Sequence, residues 1–203
     1  MGRREQAEAS RATLVAAARA CFTESGYDGT TVAEVLRRAG MARGALYHYF
    51  PGGKDELFAA VYREVDDELY RRLDALTPGS PLDRLRDGAE VFLRLCARDD
   101  FARITVLEGP RVMAAAYPHG SVLGRSYARM REGVAAAIEV GELADVDVDT
   151  LTTALYGAIR DLGARVAMTP SRSRRRAGQD ALLVVDHLLD GLAVDRHHRQ
   201  ETA

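Results

Sequence analysis

Residues 30–57 constrain the fold of this chain more than any other stretch. Thr31 and Glu34 have the spacing of a capping box, which predicts that a short helix begins just after Thr31. Gly40 can adopt the left-handed backbone conformation that ends a helix, so a tight turn follows. A second short helix then extends to Phe50, and a Pro-Gly-Gly sequence at 51–53 separates it from the next helix. The stretch therefore predicts two short helices and the start of a third.

The second of these short helices carries side chains suited to DNA. Its apolar residues recur at helical spacing and are expected to point inward; they are Met41, Ala45, Leu46 and Phe50. The remaining residues are small, aromatic or basic; they are Arg43, Gly44, Tyr47, His48 and Tyr49. A helix of about two turns with this surface suits a major groove about 12 Å wide. The alternative is that these residues are merely the solvent-exposed faces of a small helical domain.

The first 58 residues resemble the helix-turn-helix head of the tetracycline-repressor (TetR) family of transcriptional regulators. Apolar, glycine, aromatic and lysine positions agree with that family at fixed spacing. These positions are Phe22, Gly26, Tyr27, Thr30, Thr31, Val32, Ala39, Gly40, Met41, Gly44, Leu46, Tyr47, Phe50, Lys54, Leu57 and Phe58. The resemblance implies an all-α protein with a DNA-binding head at 1–56. A long helix would join this head to a helical domain at 57–203 for effector binding and dimerisation.

The same resemblance implies roles in DNA binding for eight residues of the head. The residues implied to face base edges are Arg43, Gly44 and Ala45, those implied to contact the DNA backbone are Thr31, Tyr47, Tyr49 and Lys54, and His48 completes the set. Family members commonly have Ser or Thr where this chain has Ala42, and often Thr where it has Ala45. Direct readout is therefore expected to depend on Arg43 bonding guanine, with Ala45 against a thymine methyl group.

The composition favours packed helices and a positively charged head. Aromatic residues make up only 6% of the chain and Trp is absent, whereas a sheet sandwich needs many aromatic and β-branched residues. An apolar content of 47% excludes a wholly disordered chain. The net charge is −2, yet residues 1–54 hold eight basic against five acidic side chains, a local charge of +3. The positive field is therefore expected on the head, where it favours nucleic acid.

Several other kinds of protein lack support in the sequence. Cys21 and Cys96 each lie in an apolar helical stripe, which favours buried reduced thiols over a disulfide. No signal sequence opens the chain and no apolar run approaches the ~20 residues of a membrane span, so we expect a cytoplasmic protein. Motifs of phosphate loops, metal sites and serine nucleophiles are absent, so no enzyme and no cofactor are expected. His197 and His198 are expected to lie in a frayed tail, not a metal site.

Apolar spacing predicts helices through the remainder of the chain. They run from about Ser10 to Phe22, Lys54 to Leu76, Ser80 to Cys96, Phe101 to Gly109, Ser121 to Val140, Asp149 to Val166 and Arg176 to Val194. Ser25-Gly26 is expected to end the first of them, and Ser80 and Asp149 are the expected N-caps of theirs. Residues 1–9, with Arg3 and Arg4, are expected to be frayed or to form a basic arm that touches DNA. An irregular or short helical connection is expected at 111–120, and a solvated loop, not a DNA-binding patch, at the basic run 172–176.

The last two helices are expected to form the dimer face. Both carry apolar stripes, and the first also has a flank of small residues that allows close packing. Four polar residues on apolar helices are candidates for an effector pocket, although each could instead be a surface group; they are Tyr127, Arg131, Tyr156 and Arg160. The sequence thus favours a homodimeric repressor that a small hydrophobic effector releases from a palindromic operator. A helical interaction module, or a regulator without an effector, remains open.

Overall fold

The computed structural model describes residues 2–116 and 122–194, and this part of the chain is helical without β-strands. The helices are α1 (Arg3–Gly29), α2 (Val32–Ala39), α3 (Gly44–Tyr49), α4 (Gly53–Asp74), α5 (Pro81–Cys96), a π-helix (Phe101–Glu108), α6 (Gly109–Ala116), α7 (Val122–Glu139), α8 (Val148–Met168) and α9 (Ser171–Leu192). The all-α prediction is confirmed. His197 and His198 lie outside the described residues. Within the described ranges, no helix is both long and apolar enough to span a membrane.

The chain packs as two compact units. The first comprises Met1–Tyr70 and Arg98–Gly120, and the second comprises Arg71–Ala97 and Ser121–Ala203. Most of α4 therefore belongs to the first unit, together with the π-helix and α6, while the last turn of α4 belongs to the second. The boundary predicted after residue 56 divides the DNA-binding head from the domain for effector binding and dimerisation. It stays a prediction.

An aromatic cluster organises the core of the first unit. Phe22 of α1 and Phe58 of α4 meet edge to face with ring centroids 5.1 Å apart, and Tyr27 meets Phe58 at 5.2 Å. Leu46 and Phe50 are fully buried, as their spacing predicts, and they anchor α3 to this core. Burying side chains of this size stabilises the fold by about 1.5–3 kcal/mol each. Helix α3 is thus anchored on a buried apolar core.

An ionic network joins three elements of the first unit around Asp100. Its carboxylate caps the π-helix by accepting the Phe101 N–H at 2.8 Å, and it also binds the guanidinium groups of Arg19 and Arg98. Arg98 further donates to Glu68 of α4 at 2.5 Å. Burial acts to raise the pKa of Asp100, but the hydrogen bonds from Arg98 and Arg19 outweigh it and hold that pKa below its usual value. The network therefore ties α1, α4 and the π-helix together.

Helix α1 begins at Arg3, so the expectation of a frayed segment before Ser10 is wrong. The Glu5 carboxylate accepts the Gly2 N–H at 2.8 Å, and Arg4 pairs with Glu8 one turn later at 3.2 Å. These local contacts pair polar and charged groups at the start of the helix and stabilise it, although the segment has no apolar face. The predicted stop near Gly26 is visible as a kink, where Gly26 has φ 70°, and helical structure resumes to Gly29.

The helix after Phe101 does not end at Gly109-Pro110, contrary to the sequence-based expectation. It changes from π to α geometry at Gly109 and continues to Ala116. Pro110 lies where the helix changes from π to α geometry, and α6 continues past it. Gly109 is required because a Cβ there would collide with the Tyr62 ring of α4. Residues 111–116 are therefore helical, and 117–120 lie outside the described residues.

In the second unit, α5 packs against α7, α8 and α9, and α8 packs against both α7 and α9. The predicted cap of α5 is confirmed, since the Ser80 hydroxyl accepts the Asp83 N–H at 3.2 Å. The cap of α8 is Asp147 and not Asp149, because the Asp147 carboxylate accepts the Thr150 N–H at 2.8 Å. Gly163 of α8 leaves no room for a Cβ beside the Phe92 ring, so α5 and α8 lie in close contact.

The basic run at 172–176 is helical and not a loop, because α9 begins at Ser171 directly after Pro170. Pro170 occupies the N-cap position, and its restricted φ favours entry into a helix. Of the four arginines, Arg174 is half-buried and the other three are exposed. The expectation of solvent exposure therefore holds for most of the run, although its backbone is ordered as a helix.

Candidate nucleic-acid interface

The turn between α2 and α3 is built by local hydrogen bonds. The Thr31 hydroxyl accepts the Glu34 N–H at 3.2 Å, which is the first half of the predicted capping box. The second half is absent, because the Glu34 carboxylate binds Arg37 at 2.6 Å. Gly40 ends α2 in the left-handed conformation with φ 67°, and the Met41 N–H closes the turn on the Leu36 carbonyl at 3.0 Å. The orientation of α3 is thus set by backbone geometry.

Helix α3 is one and a half turns long and presents the predicted polar surface. Its six residues span about 9 Å. Arg43 precedes it as the N-cap without a side-chain capping bond, since neither Arg43 nor Ala42 offers an acceptor. The side chain of Tyr47 is 57% exposed, and His48 is also exposed. The remaining predicted members differ in exposure, with Gly44 exposed and Ala45 and Tyr49 half-buried.

Lys54 is held by Tyr27, a contact that sequence reasoning missed. The Lys54 ammonium lies 4.3 Å from the centroid of the Tyr27 ring, and the Tyr27 hydroxyl donates to the Asp55 carboxylate at the start of α4. Burial and this hydrogen bond raise the pKa of Tyr27 to about 12. Gly53 has φ 67°, so the second glycine of the turn provides the bend that brings Lys54 onto the ring.

Seven cations of the head have side chains that the structure describes, and they fall into two groups. Those with a carboxylate partner are Arg4 with Glu8, Arg19 with Asp100, Arg37 with Glu34 and Arg38 with Glu24. Three others have no carboxylate partner among the described residues, and they are Arg11, Arg43 and Lys54. Arg43 and Lys54 flank α3 on either side along the chain. Unpaired cations beside exposed hydroxyl and imidazole groups can bind phosphate and guanine edges.

Family comparisons agree with this geometry. A family model described as "Bacterial regulatory proteins, tetR family" matches residues 14–61, which contain the turn and α3. A second, described as "Tetracyclin repressor-like, C-terminal domain", matches residues 82–192, more than half of the chain. The chain belongs to the TetR family. The resemblance recognised in the head therefore extends through the second unit, and a family of transcriptional regulators agrees with the expectation that no enzyme is present.

Individual relatives match over parts of their length. The HTH-type transcriptional repressor AcnR of Corynebacterium efficiens is 46% identical over 55 residues, 27% of this chain and 29% of that protein. The A-factor receptor protein of Streptomyces griseus is 30% identical over 103 residues, 51% of this chain and 36% of that protein. A TetR-family transcriptional regulator from Pectobacterium atrosepticum has a similar structure, with a TM-score of 0.74 and 28% identity over 96% of this chain and 99% of that one.

The four residues predicted for an effector pocket have different surroundings. Tyr127 and Tyr156 meet edge to face with centroids 5.5 Å apart, and the Tyr127 hydroxyl lies 3.0 Å from the Thr153 hydroxyl. Arg131 is exposed and pairs with Asp149 at 2.6 Å, while the exposed Arg160 pairs with its neighbour Asp161. An open groove of about 450 Å³ lies beside the amino-terminal end of α8. It is lined by Asp149, Thr150, Thr153 and Ala154.

Proposed function

We propose that this protein is a transcriptional regulator that inserts α3 into the major groove of operator DNA. The observation that carries the proposal is the exposed surface of α3 flanked by two cations, Arg43 and Lys54, without a carboxylate partner among the described residues. Charges left unpaired beside a short exposed helix suit phosphate and base contacts. The relative described as a repressor supports repression as the mode of action. We expect such a regulator to act in the cytoplasm.

Selection from a duplex library of random sequence tests this function. We expect enrichment of a palindromic site whose half-sites lie about one helical turn apart, because each protomer of a dimer would present one α3. Lys54→Ala should weaken binding to the selected site and to random duplex alike. The absence of any enriched sequence, with equal binding to all duplexes, would contradict a role in operator recognition.

A homodimer through α8 and α9 is part of the proposal. Leu183, Val184 and Leu188 of α9 are exposed, and Met168 at the end of α8 is 68% exposed. The three α9 residues lie within six positions of one helix, and exposed apolar side chains at such spacing favour a partner surface over contact with water. Sequence spacing predicts an apolar stripe along α9 that includes Leu188 but not Leu183 or Val184; its members are Leu182, Val185, Leu188, Leu189 and Leu192. A stable dimer needs about 1,200 Å² of buried surface in total, which two long helices from each protomer can provide.

Sedimentation of matched variants tests the dimer face. Leu188→Arg should give monomers, because it would bury an unpaired charge between protomers. Val140→Arg is the control, since Val140 is also an exposed apolar residue but lies at the end of α7. It should leave the dimer intact. A wild-type monomer at micromolar concentration, or a Leu188→Arg dimer, would contradict this assignment.

We further propose a small, largely hydrophobic effector that binds the second unit. The apolar helices of that unit and the relative described as a receptor support this class of ligand. Helix α4 is continuous from Gly53 to Asp74, so a ligand that displaces its last turn can reorient the residues around α3. Only a ligand that binds more tightly to the arrangement that cannot bind DNA can release the protein from DNA. Tyr127 and Tyr156, whose rings meet edge to face, are our first candidates to contact the effector.

A thermal-shift screen followed by DNA titration tests the effector. Compounds that raise the melting temperature should lower affinity for the selected duplex about 5- to 150-fold, which corresponds to a coupling of about 1–3 kcal/mol. The duplex should weaken binding of the same compound by the same factor, because coupling is reciprocal. Compounds that stabilise the protein and leave DNA affinity unchanged would favour a regulator without this coupling.

A further inference from the structure

Arg11 of α1 lies at the carboxyl-terminal end of α3, although it precedes Phe50 by 39 positions in the sequence. Its guanidinium carbon is 4.9 Å from the centroid of the Phe50 ring. Phe50 is the C-cap of α3, and its N–H bonds the Leu46 carbonyl at 2.7 Å. The Phe50 ring is almost completely buried, and the exposed Arg11 side chain lies over it. Arg11 is thus fixed beside the carboxyl-terminal end of α3.

The environment of Arg11 matches that of Lys54 and differs from that of Arg4 and Arg19 in the same helix. Lys54 lies over the Tyr27 ring as Arg11 lies over the Phe50 ring, and neither has a carboxylate partner in the described part of the chain. Arg4 and Arg19 of the same helix are ion-paired. An aromatic ring orients a cation without neutralising it, so the charge stays available to an anion.

The position of Arg11 also fits the dimensions of the groove. Arg43 precedes α3 and Arg11 lies at its far end, so cations flank a helix about 9 Å long. The major groove is about 12 Å wide and its edges are lined by phosphates. When a helix of this length enters the groove, groups beyond its two ends lie near those edges.

We propose that Arg11 binds a DNA phosphate and is held in position by the Phe50 ring. The proposal rests on the proposed DNA-binding function and adds a contact from α1, outside the helix-turn-helix segment. Two structural roles compete with it, since Arg11 could serve only to cover Phe50 or to complement the carboxyl end of α3. These roles affect folding stability but not the salt dependence of DNA binding.

The test compares Arg11→Met, Arg11→Lys, Arg4→Met and Lys54→Met in titrations of a random-sequence duplex from 50 to 200 mM salt. Each phosphate contact contributes about 0.9 to the slope of log affinity against log salt. Wild-type affinity should therefore fall about 3-fold more than that of Arg11→Met over this range for each chain bound. Arg11→Lys should keep most of the wild-type slope. Arg4→Met removes the same charge from the same helix. Because the Glu8 carboxylate pairs with Arg4, we expect no phosphate contact there, contrary to the basic arm that the sequence left open, and therefore an unchanged slope.

The controls separate failure of this assignment from failure of the proposed function. If Lys54→Met lowers the slope and Arg11→Met does not, the Arg11 contact is wrong while DNA binding stands. An equal decrease for Arg4→Met would also overturn it, because general charge would then explain the effect. If wild type and all variants bind DNA without salt dependence, the proposed function itself fails. Thermal melts of each free variant report any loss of folding separately.

Discussion

Arg86 in the second unit and the two cations that flank α3 have opposite electrostatic environments. In the second unit, Arg86 of α5 bridges Asp186 and Asp190 of α9 at 2.8 Å each, so its charge is used within the fold. Around α3, Arg43 and Lys54 have no carboxylate partner among the described residues. A cation already bound to carboxylates must give up those partners to bind phosphate. The contrast indicates which charges serve folding and which are available to a ligand.

The largest effect that tests this comparison is on stability, at the ionic network of the first unit. Asp100→Ala should lower the free energy of unfolding by about 2 kcal/mol, because Arg19 and Arg98 keep Glu68 but lose the carboxylate that also accepts the Phe101 N–H. Urea denaturation measures the change. Asp161→Ala breaks the exposed pair with Arg160 and is the control, with an expected change below about 1 kcal/mol. Similar losses for both variants would mean that burial does not distinguish these pairs.

The contribution of Asp100 also depends on pH. Its pKa is lowered in the folded state, so its stabilising effect is present above the unfolded pKa, about 3.9, and is lost as pH falls through the folded pKa. The stability difference between wild type and Asp100→Asn should therefore be constant near neutral pH and shrink below about pH 4. A difference that grew as the pH was lowered would contradict the assigned direction of the shift.

A second prediction concerns the unpaired cation at the start of α3. Arg43→Ala should reduce affinity for the selected duplex by about 1–3 kcal/mol, mainly through one base pair in each half-site. Folding stability should change little, since Arg43 is exposed and forms no ion pair among the described residues. Titration of duplexes substituted at single positions locates the effect. An equal loss on every duplex would mean that Arg43 contacts phosphate instead of a base.

The smallest expected effect is at the hydroxyl of Tyr27. Tyr27→Phe keeps the ring beneath Lys54 but removes the hydrogen bond to Asp55, so stability should fall by about 1 kcal/mol while the salt slope of DNA binding is kept. Tyr27→Leu removes the ring as well, and this variant should lower affinity for the duplex. If the two variants bind DNA equally, the aromatic ring does not position Lys54.

Local chemistry explains which features the sequence could predict. Thr31, Gly40 and Ser80 define helix ends through contacts within a few residues, and all three were predicted from their neighbours alone. The same reasoning failed at Gly109, where the local signal for a stop is overridden by packing against Tyr62. It also failed for the basic run at the start of α9, where an unfavourable charge pattern is accepted in a helix that packs on α5 and α8.

The candidate site was predictable in part for the same reason. Residues of α3 were identified because they are consecutive, so helical spacing alone separates the buried from the exposed side chains. Tyr27 and Arg11 were missed because their partners, Lys54 and Phe50, are distant in sequence. The Arg19–Asp100 contact spans 81 positions and carries no sequence signal. Which arginines are paired was therefore visible only in the structure.

The most direct test of the distinction between paired and unpaired charges compares Lys54→Gln with Arg37→Gln. Each substitution removes one positive charge from the head, but Arg37 is paired with Glu34 and Lys54 has no carboxylate partner in the described ranges. Titration of the selected duplex across salt concentrations should show a slope lower by about 0.9 per chain for Lys54→Gln and an unchanged slope for Arg37→Gln. Equal slopes for the two variants would contradict the account.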